Sequence, residues 1–477
     1  MSAKTNQVTN QVGSQAVVFE ALEGRQMMSA THHHHHHASK PVVPLTTAPK
    51  VVVSVSPVIN APVTIAQTNG VLQITGTTGN DQILISQSGT TFTIKNGTWS
   101  KTVTGTFTKI VVKGNGGNDS IAIDPSVTES ATLYGGAGSD TLTGNNGNDT
   151  FYAGTGTNVM KGGTGADVFV TLGSKGDTIT GGQGNDSFWM DNATNEFVTD
   201  LTAAQNNAGR VHRIASFLGG VATTLGGQTF AEPALTDKSL TYKNFSNMPL
   251  FSNDGPSEND INQGYLGDCW YLSSLSSVAK ADANKIRQSV VDLGDGTYAV
   301  QFTKSGKSVF VRVDGNLPTW SGGQVAYANV TNSKGTSALW VAIMEKAMAE
   351  FDGTTSNYNN INGGWMSTAY NSLGLNNGGI WASSAIDLVN QLSSALTAGE
   401  AVTIGIGNPP AGVPLIGDHA YTVDHLTRDA KGNVISVTLR NPWGVDGAGN
   451  DGNNDGYVTV TPAQLYAAEM GACTANA

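Results

Sequence analysis

Cysteine is almost absent from this chain: Cys269 and Cys473 are the only two in 477 residues. That scarcity excludes a framework of structural disulfides. Positive charge is scarce too. With 25 Lys+Arg against 36 Asp+Glu the net charge is −11, so no nucleic acid is expected as a partner, because that needs a basic footprint. Charged residues of both signs reach only 13%, about half the usual share, and Gly, Ser, Thr and Asn fill the deficit. No run of 18 apolar residues occurs, so no membrane span is expected. Ala16-Val17-Val18-Phe19 is too short for the apolar core of a secretory signal. The length leaves room for two or three domains.

What is present is concentrated in two regions. In one, Gln263-Gly264-Tyr265-Leu266-Gly267-Asp268-Cys269-Trp270 leads into a helix-like stretch. A cysteine at a helix N-terminus sits among free N–H groups and the positive end of the dipole, which favour the thiolate. The plain alternative is a small buried hydrophobe. His419 follows 150 residues later, opening a β-like run in Gly417-Asp418-His419-Ala420-Tyr421-Thr422-Val423. Asn441 follows 172 residues after Cys269, in Leu439-Arg440-Asn441-Pro442-Trp443-Gly444. Singly, the histidine reads as a core residue and the asparagine as a turn residue before proline. Jointly they suit nucleophilic catalysis, in which a thiol needs a base and the base needs a third group to fix its ring.

These motifs resemble the calpain cysteine peptidases. Phe310-Val311-Arg312-Val313-Asp314-Gly315-Asn316-Leu317-Pro318-Thr319 is similar to the family's strand before the cleft. Leu339 to Ala347 is similar to its helix carrying Trp-x-x-x-x-x-Lys-Ala. Read on its own, that stretch puts Trp340, Ile343, Met344, Ala347 and Phe351 on one helical face, with Gly353 as its stop. The resemblance covers about 240 to 475, roughly half the chain. It implies a papain-like α+β cysteine peptidase of two lobes, one helical with Cys269 and one β with His419 and Asn441, acting on proteins or peptides. It further implies Cys269 as nucleophile, His419 as general base and then acid, and Asn441 as the orienting group. Gln263 and the Cys269 N–H would hold the oxyanion, and Trp443 would cover the His–Asn bond. Gly363-Gly364 would line the substrate cleft, where a missing side chain permits close approach; a turn is the alternative.

The chain also departs from that family. Asp418 stands where calpains usually have glycine. Of two calcium sites in the calpain core, the first keeps Asp260, but its partner glutamate aligns with Ala338. In the second an acid aligns with Tyr457, although Asp455 remains. A weak response of the peptidase to calcium is therefore expected. Asp451-Gly452-Asn453-Asn454-Asp455-Gly456 starts like a calcium loop but has Pro462 at its twelfth position. It reads either as a weak calcium loop or as a hydrated Gly/Asn loop.

The second region is periodic. From 135 to 189 the chain repeats units such as Gly-Gly-Ala-Gly-Ser-Asp-Thr-Leu-Thr, placing Asp140, Asp149, Asn158, Asp167, Asp177 and Asp186 at steps of 9, 9, 9, 10 and 9. An apolar residue follows two positions after most of them: Leu142, Phe151, Phe169, Ile179 and Phe188. This resembles the RTX nonapeptide, which implies a parallel β-roll binding Ca2+. In such a roll successive turns lie on opposite edges, so an ion sits between turns two units apart. Asp149 with Asp167, and Asp167 with Asp186, are the best pairs; Asn158 brings no charge and weakens its two sites. Earlier copies of the turn end at Asp81 and Asp119. The alternative is a disordered glycine-rich linker, since 15 of these 55 residues are glycine; the strict period argues against it.

Phe19 to Ala30 resembles a short sorting element near the N-termini of large exported proteins of planctomycete-like bacteria, with a plain amphipathic stretch as the alternative. His32 to His37 is either a purification tag or a native tract and is set aside. The expected organisation is a sorting-like segment with the histidine run at 1–37 and a Pro-rich linker at 38–65. A calcium-binding β-roll at 66–200, a connector at 201–234 and a peptidase at 235–477 follow, the whole secreted or at the cell surface. The rival reading is a calcium-binding surface or structural protein with a degenerate peptidase module. The intact set Gln263, Cys269, His419 and Asn441 discriminates against it.

Overall fold

A strict short period with one inward apolar residue per unit is satisfied by a flattened coil of short parallel strands. The computed structural model describes residues 62–477, apart from 193–194, 203–208, 253, 332–334, 336, 354 and 449–452. The sorting-like segment, the histidine run and the linker as far as residue 61 lie outside the described residues.

Two sheets face each other in the coil. One stacks Lys109–Gly116, Ser130–Ala137, Thr150–Thr155, Val168–Val170, Ser187–Asp191 and Val211–Ile214 in parallel. The other stacks Ser120–Ile123, Thr141–Thr143, Val159–Thr164, Thr178–Gln183 and Phe197–Val198. The register sets Phe151 beside Phe169 and Phe169 beside Phe188, and the rings stack at 4.7 and 5.3 Å. Leu142, Phe151, Phe169, Ile179 and Phe188 are all buried, as their spacing predicts. Gly184 shows what the turns demand: at φ 145° its backbone lies against the Gly165 carbonyl, leaving no room for a Cβ. Antiparallel strands close the N-terminal end, with Thr64–Thr68 on Val71–Thr75 and the meander Gln82–Ser88, Thr91–Asn96, Trp99–Thr104. The stack thus begins before the recognisable repeats and runs on to Ile214.

Downstream, the helix Cys269–Ala281 is buried along most of its length. It lies between the helix Trp340–Phe351 and the strands Ala401–Ile406 and His419–Arg428. The β lobe is a six-stranded antiparallel sheet in the order Asn377–Ile380, Glu469–Ala475, Ala401–Ile406, His419–Arg428, Val434–Arg440, Tyr457–Val460. In the helical lobe Lys346 is fully buried, and its ammonium pairs at 2.6 Å with both Glu232 and Asp314. Two carboxylates and the Asn316 carbonyl (2.8 Å) replace the water it has lost.

The roll and the peptidase share a core. Tyr152, Val170, Leu172, Trp189 and Ile214 of the roll pack with Val291, Leu293, Ala299 and Phe310 of the three-stranded sheet that follows the Cys269 helix. Gly294 presses on the Tyr152 ring, where a Cβ would come within 2.7 Å. His212 is buried here, stacked on Trp189 at 3.8 Å, and its ring nitrogens meet Gln301 and Gln288. Residues between the two parts also bind the peptidase: the Ala222 and Thr224 carbonyls accept from the buried Arg312 guanidinium at 2.8 and 3.0 Å.

Candidate active site and calcium-binding edges

Antiparallel pairing places the start of one strand beside the end of its neighbour. Thr422 lies opposite Arg440, so His419, which opens its strand, stands next to Asn441, which follows the other. The His419 Nε2 to Asn441 Oδ1 distance is 2.9 Å. Asn441 is wholly buried; its amide nitrogen donates to the Asp446 carbonyl at 3.3 Å, and its Oδ1 also accepts from the Trp443 N–H at 3.0 Å. The Trp443 ring lies 4.8 Å from the His419 ring. Across the cleft, Cys269 is the first residue of its helix, half-buried, with its sulfur accepting from the N–H of Ala420, the residue after His419. The sequence therefore brings Cys269, His419, Asn441 and Trp443 to one place.

At the thiol, burial and the helix N-terminus act in opposite senses. Burial pushes Cys269 above the ordinary thiol value and pushes His419 below the ordinary imidazole value. The N–H groups of Ala420, Trp270 and Cys269 itself act in the opposite sense at Cys269, but desolvation outweighs them, and the Asp268 carboxyl adds to the rise.

Gly363 and Gly364 are exposed beside the candidate nucleophile. The Gly363 N–H donates to the Gly267 carbonyl at 2.8 Å, and a Cβ on Gly364 would strike the Trp270 indole. Gln263 is buried, with its amide nitrogen 2.6 Å from the Leu266 carbonyl and 3.1 Å from Asp268 Oδ1. Its Oε1 is buried without a partner. Asp418 adopts φ 50°, the left-handed region that suits the glycine of the resembled family.

The core positions compared with calpain calcium sites are occupied by other contacts. Asp260 accepts from the Trp340 indole and the Ser257 N–H, each at 2.9 Å, and Ala338 is buried. Tyr457 reaches Glu258 at 3.3 Å and Asn259 at 3.2 Å. Asp455 accepts from the Tyr457 N–H. Asp451 and Gly452 of the candidate loop lie outside the described residues.

The roll separates its aspartates onto two edges. On one, the Asp149 N–H donates to Asp167 Oδ1 at 2.8 Å and the Asp167 N–H to Asp186 Oδ1 at 3.1 Å. On the other, the order is Asp81, Asp119, Asp140, Asn158, Asp177, linked the same way at 2.7–2.8 Å. Oδ2 of Asp119, Asp140, Asp167 and Asp186 is buried with no hydrogen-bond partner. Each orphaned oxygen borders a glycine; beside Asp119, Asp140 and Asp167 a main-chain carbonyl forms a second wall of the cradle a Cβ would fill, and at Gly135 the walls are Asp140 Oδ2 and the Ala153 carbonyl, 2.6 and 2.5 Å away. Among the described residues no three His, Cys, Asp or Glu side chains converge, so a cation here would rely on main-chain carbonyls as well. Hard carboxylate and carbonyl oxygens are the donors that calcium takes, and these residues fit it. Burial raises these carboxyls, Asp119 to about 7 and Asp167 to about 8. Asp177 differs, because Asn158 Nδ2 (3.1 Å) and the Ser174 hydroxyl (2.6 Å) complete its bonding. Asp149 is intermediate, with the Asn145 N–H on its second oxygen. Asp119 joins this set although its turn stands apart from the regular repeats; the Gly-Gly-Asn-Asp run at 116–119 was its signal.

Comparison with known proteins agrees with this division. Residues 238–454 match the calpain family cysteine protease, and residues 134–169 match four copies of the RTX calcium-binding nonapeptide repeat. The calpain-1 catalytic subunit of Bos taurus is 31% identical over 233 residues, covering 44% of this chain and 31% of its own. Calpain-type cysteine protease ADL1 of Oryza sativa subsp. japonica is 30% identical over 217 residues, 42% and 9% respectively. Calpain-A of Drosophila melanogaster is 29% identical over 218 residues, 41% and 25%. The chain thus spans less than a third of the length of these curated relatives.

Proposed function

Since residues 238–454 form a calpain-type cysteine protease domain and RTX-type repeats precede it, we propose that this chain is a cysteine endopeptidase on a calcium-stabilised roll. The observation that carries the reading is the 2.9 Å bond between His419 and Asn441 at the N-terminus of the Cys269 helix. In the proposed reaction His419 takes the thiol proton as Cys269 sulfur attacks a peptide carbonyl, then returns it to the departing amine. Asn441 holds the imidazole in the tautomer that leaves its other nitrogen for sulfur, and Trp443 keeps water from that bond. The Cys269 N–H and the Gln263 amide stabilise the oxyanion, for which Gln263 gives up its bond to the Leu266 carbonyl. Gly363 and Gly364 receive the substrate backbone.

Calcium enters this reading through the roll. Asp119, Asp140, Asp167 and Asp186, with Asp149, would hold it, and the ion would supply the charge that lets stacked carboxylates coexist. Asp177, which the repeat pattern includes as a ligand, is satisfied by Asn158 and Ser174 and is a weaker member. A secreted or cell-surface location supports such sites, because extracellular modules bind at about 10⁻⁴–10⁻³ M. Protein or peptide substrates follow from the peptidase domain. Among the described residues no helix is long and apolar enough to cross a membrane. The test is casein hydrolysis by the full chain, in calcium and in chelator, beside a Cys269→Ala control. Hydrolysis that survives Cys269→Ala rejects the reading.

A further inference from the structure

Immediately before Cys269, Asp268 is completely buried, and so is Glu345 on the helix Trp340–Phe351. Their carboxyl groups adjoin, and burial together with the Asp268 charge holds Glu345 well above the usual carboxylate range. Two carboxylates in contact out of water cannot both ionise, so one proton is shared between them. The rest of the pair's bonding is one-sided. Both Glu345 oxygens accept from the Ala328 N–H at 3.1 Å. Asp268 Oδ1 accepts from Gln263 Nε2 at 3.1 Å, while Asp268 Oδ2 is buried without a hydrogen-bond partner and is the oxygen that a proton on Glu345 would serve. A buried acid pair is costly unless something is gained from it. Here it ends on the one side chain proposed to face the oxyanion.

We propose that Asp268 and Glu345 are positioning residues that anchor one N–H of Gln263 and so aim its amide at the oxyanion of the acyl-transfer step. This rests on the peptidase reading above. Gln263 has two amide hydrogens. The bond to Asp268 fixes the plane of the amide, and the bond to the Leu266 carbonyl is the one exchanged for the oxyanion. Glu345, donating the shared proton to Asp268, keeps that carboxylate in place and moderates its charge beside the Cys269 thiol. Cys269, Tyr271, Tyr327 and Tyr358 are the other ionisable groups that face the pair. Burial holds both acids above the usual carboxylate range.

The test uses the full chain in calcium, with casein or a peptide substrate and with iodoacetamide labelling of Cys269. Asp268→Ala should lower kcat toward the loss seen in Gln263→Ala, up to about 10²–10³-fold, with KM changed only a few-fold. Labelling of Cys269 should not slow, because alkylation needs no oxyanion hole. The double variant Asp268→Ala with Gln263→Ala should lose little beyond either single change. Asp268→Asn keeps an oxygen for Gln263 and an amide donor for Glu345, so it should restore kcat; Glu345→Gln should do likewise. Both should remove the pair's titration from the pH profile of kcat. Should Asp268→Ala fail to fold, Asp268→Asn and Glu345→Gln carry the test through that profile. Wild-type kcat in Asp268→Ala, fully additive losses in the double variant, or unchanged pH profiles in the conservative variants overturn the proposal while leaving the peptidase reading intact. A wild-type chain without thiol-dependent hydrolysis overturns both.

Discussion

Thr422 donates its hydroxyl to the main-chain carbonyl of Ser273 across 2.8 Å, in the buried seam between the two lobes. The bond joins the strand that opens with His419 to the helix that opens with Cys269, and brings both openings to the same end of the cleft. Lys280, on the last turn of that helix, bridges to Asp424 of the same strand and to Glu258. The lobes are thus tied at both ends of one helix.

Labelling should distinguish the two cysteines. Cys473, the only other thiol, is buried, and burial pushes it up to about 11. Iodoacetamide or an epoxysuccinyl inhibitor should modify Cys269 and stop proteolysis, as mapped by peptide mass. Cys269→Ala or His419→Ala should reduce turnover by roughly 10⁴-fold or more. Asn441→Ala should cost less, because that residue orients and does not react.

The pH dependence of the same reaction reports the resting charge state. With the thiol raised and the imidazole lowered by burial, Cys269 alkylation should be slow in acid. It should climb only toward and beyond the ordinary thiol value of about 8.5. A rate plateau extending down to pH 5 would contradict this and indicate a preformed thiolate–imidazolium pair.

That contrast also marks how far the residues alone could be read. Cys269 at the head of a helix was legible from Gly267-Asp268-Cys269-Trp270, because local glycine and the following apolar run set a helix start. The burial of the thiol was not, since it comes from Ala420 and the β lobe 150 residues away. The roll was legible from its period, and Phe151, Phe169 and Phe188 stack as that period demands. The antiparallel strands at 82–104 have no such repeat, and the shared core with the peptidase depends on Trp189 and Phe310, which no local pattern links. Glu345 sits inside a helix motif where a charged residue ordinarily reads as solvated surface.

Calcium and protons should compete for the roll. Acids whose folded values are raised favour the folded state at low pH and lose that advantage as pH rises through those values. Asp119, Asp149 and Asp167 lie at about 7, 6 and 8, so the calcium-free chain should be less stable at pH 8 than at pH 6. Below that range His212, held down to about 4 by burial, opposes the trend, because stability falls as pH drops from its unfolded value of about 6.5. Three carboxyls outweigh that one histidine, so melting curves in chelator should gain Tm from pH 8 down to pH 6 and continue to gain below it, and calcium should raise Tm most at pH 8. Asp167→Ala should blunt the calcium effect more than Asp177→Ala. Equal effects of the two substitutions would refute the assignment of sites.

The peptidase itself should respond weakly to calcium. Tyr457 with Glu258 and Asn259, and Lys280 with Glu258 and Asp424, already join the lobes. In a chain carrying Asp149→Ala, Asp167→Ala and Asp186→Ala, titrating calcium at constant temperature should change kcat less than about threefold while the variant remains folded. A steep calcium dependence in that variant would point to a core switch instead.

Stability of the helical lobe should depend on Lys346. Lys346→Ala leaves Glu232 and Asp314 without their cation, which should cost about 3–5 kcal/mol, read from urea unfolding in calcium. Cutting the chain at 235 should harm the same lobe, because it removes Glu232 and bares Val291, Leu293 and Phe310.

The ends of the roll have a consequence for self-association. A stack of parallel rungs is open-ended by nature, and an uncovered terminal rung is a template onto which a second molecule can add. Here the N-terminal rungs are covered by antiparallel strands, whose outermost members are Thr64–Thr68 in one sheet and Trp99–Thr104, which carries Lys101, in the other. At the other end one sheet finishes in the two-residue strand Phe197–Val198 and the other in Val211–Ile214, whose His212 and Ile214 are turned into the junction with the peptidase. Among the described residues a fibre-like repeat is thus bounded at each end by antiparallel or short strands.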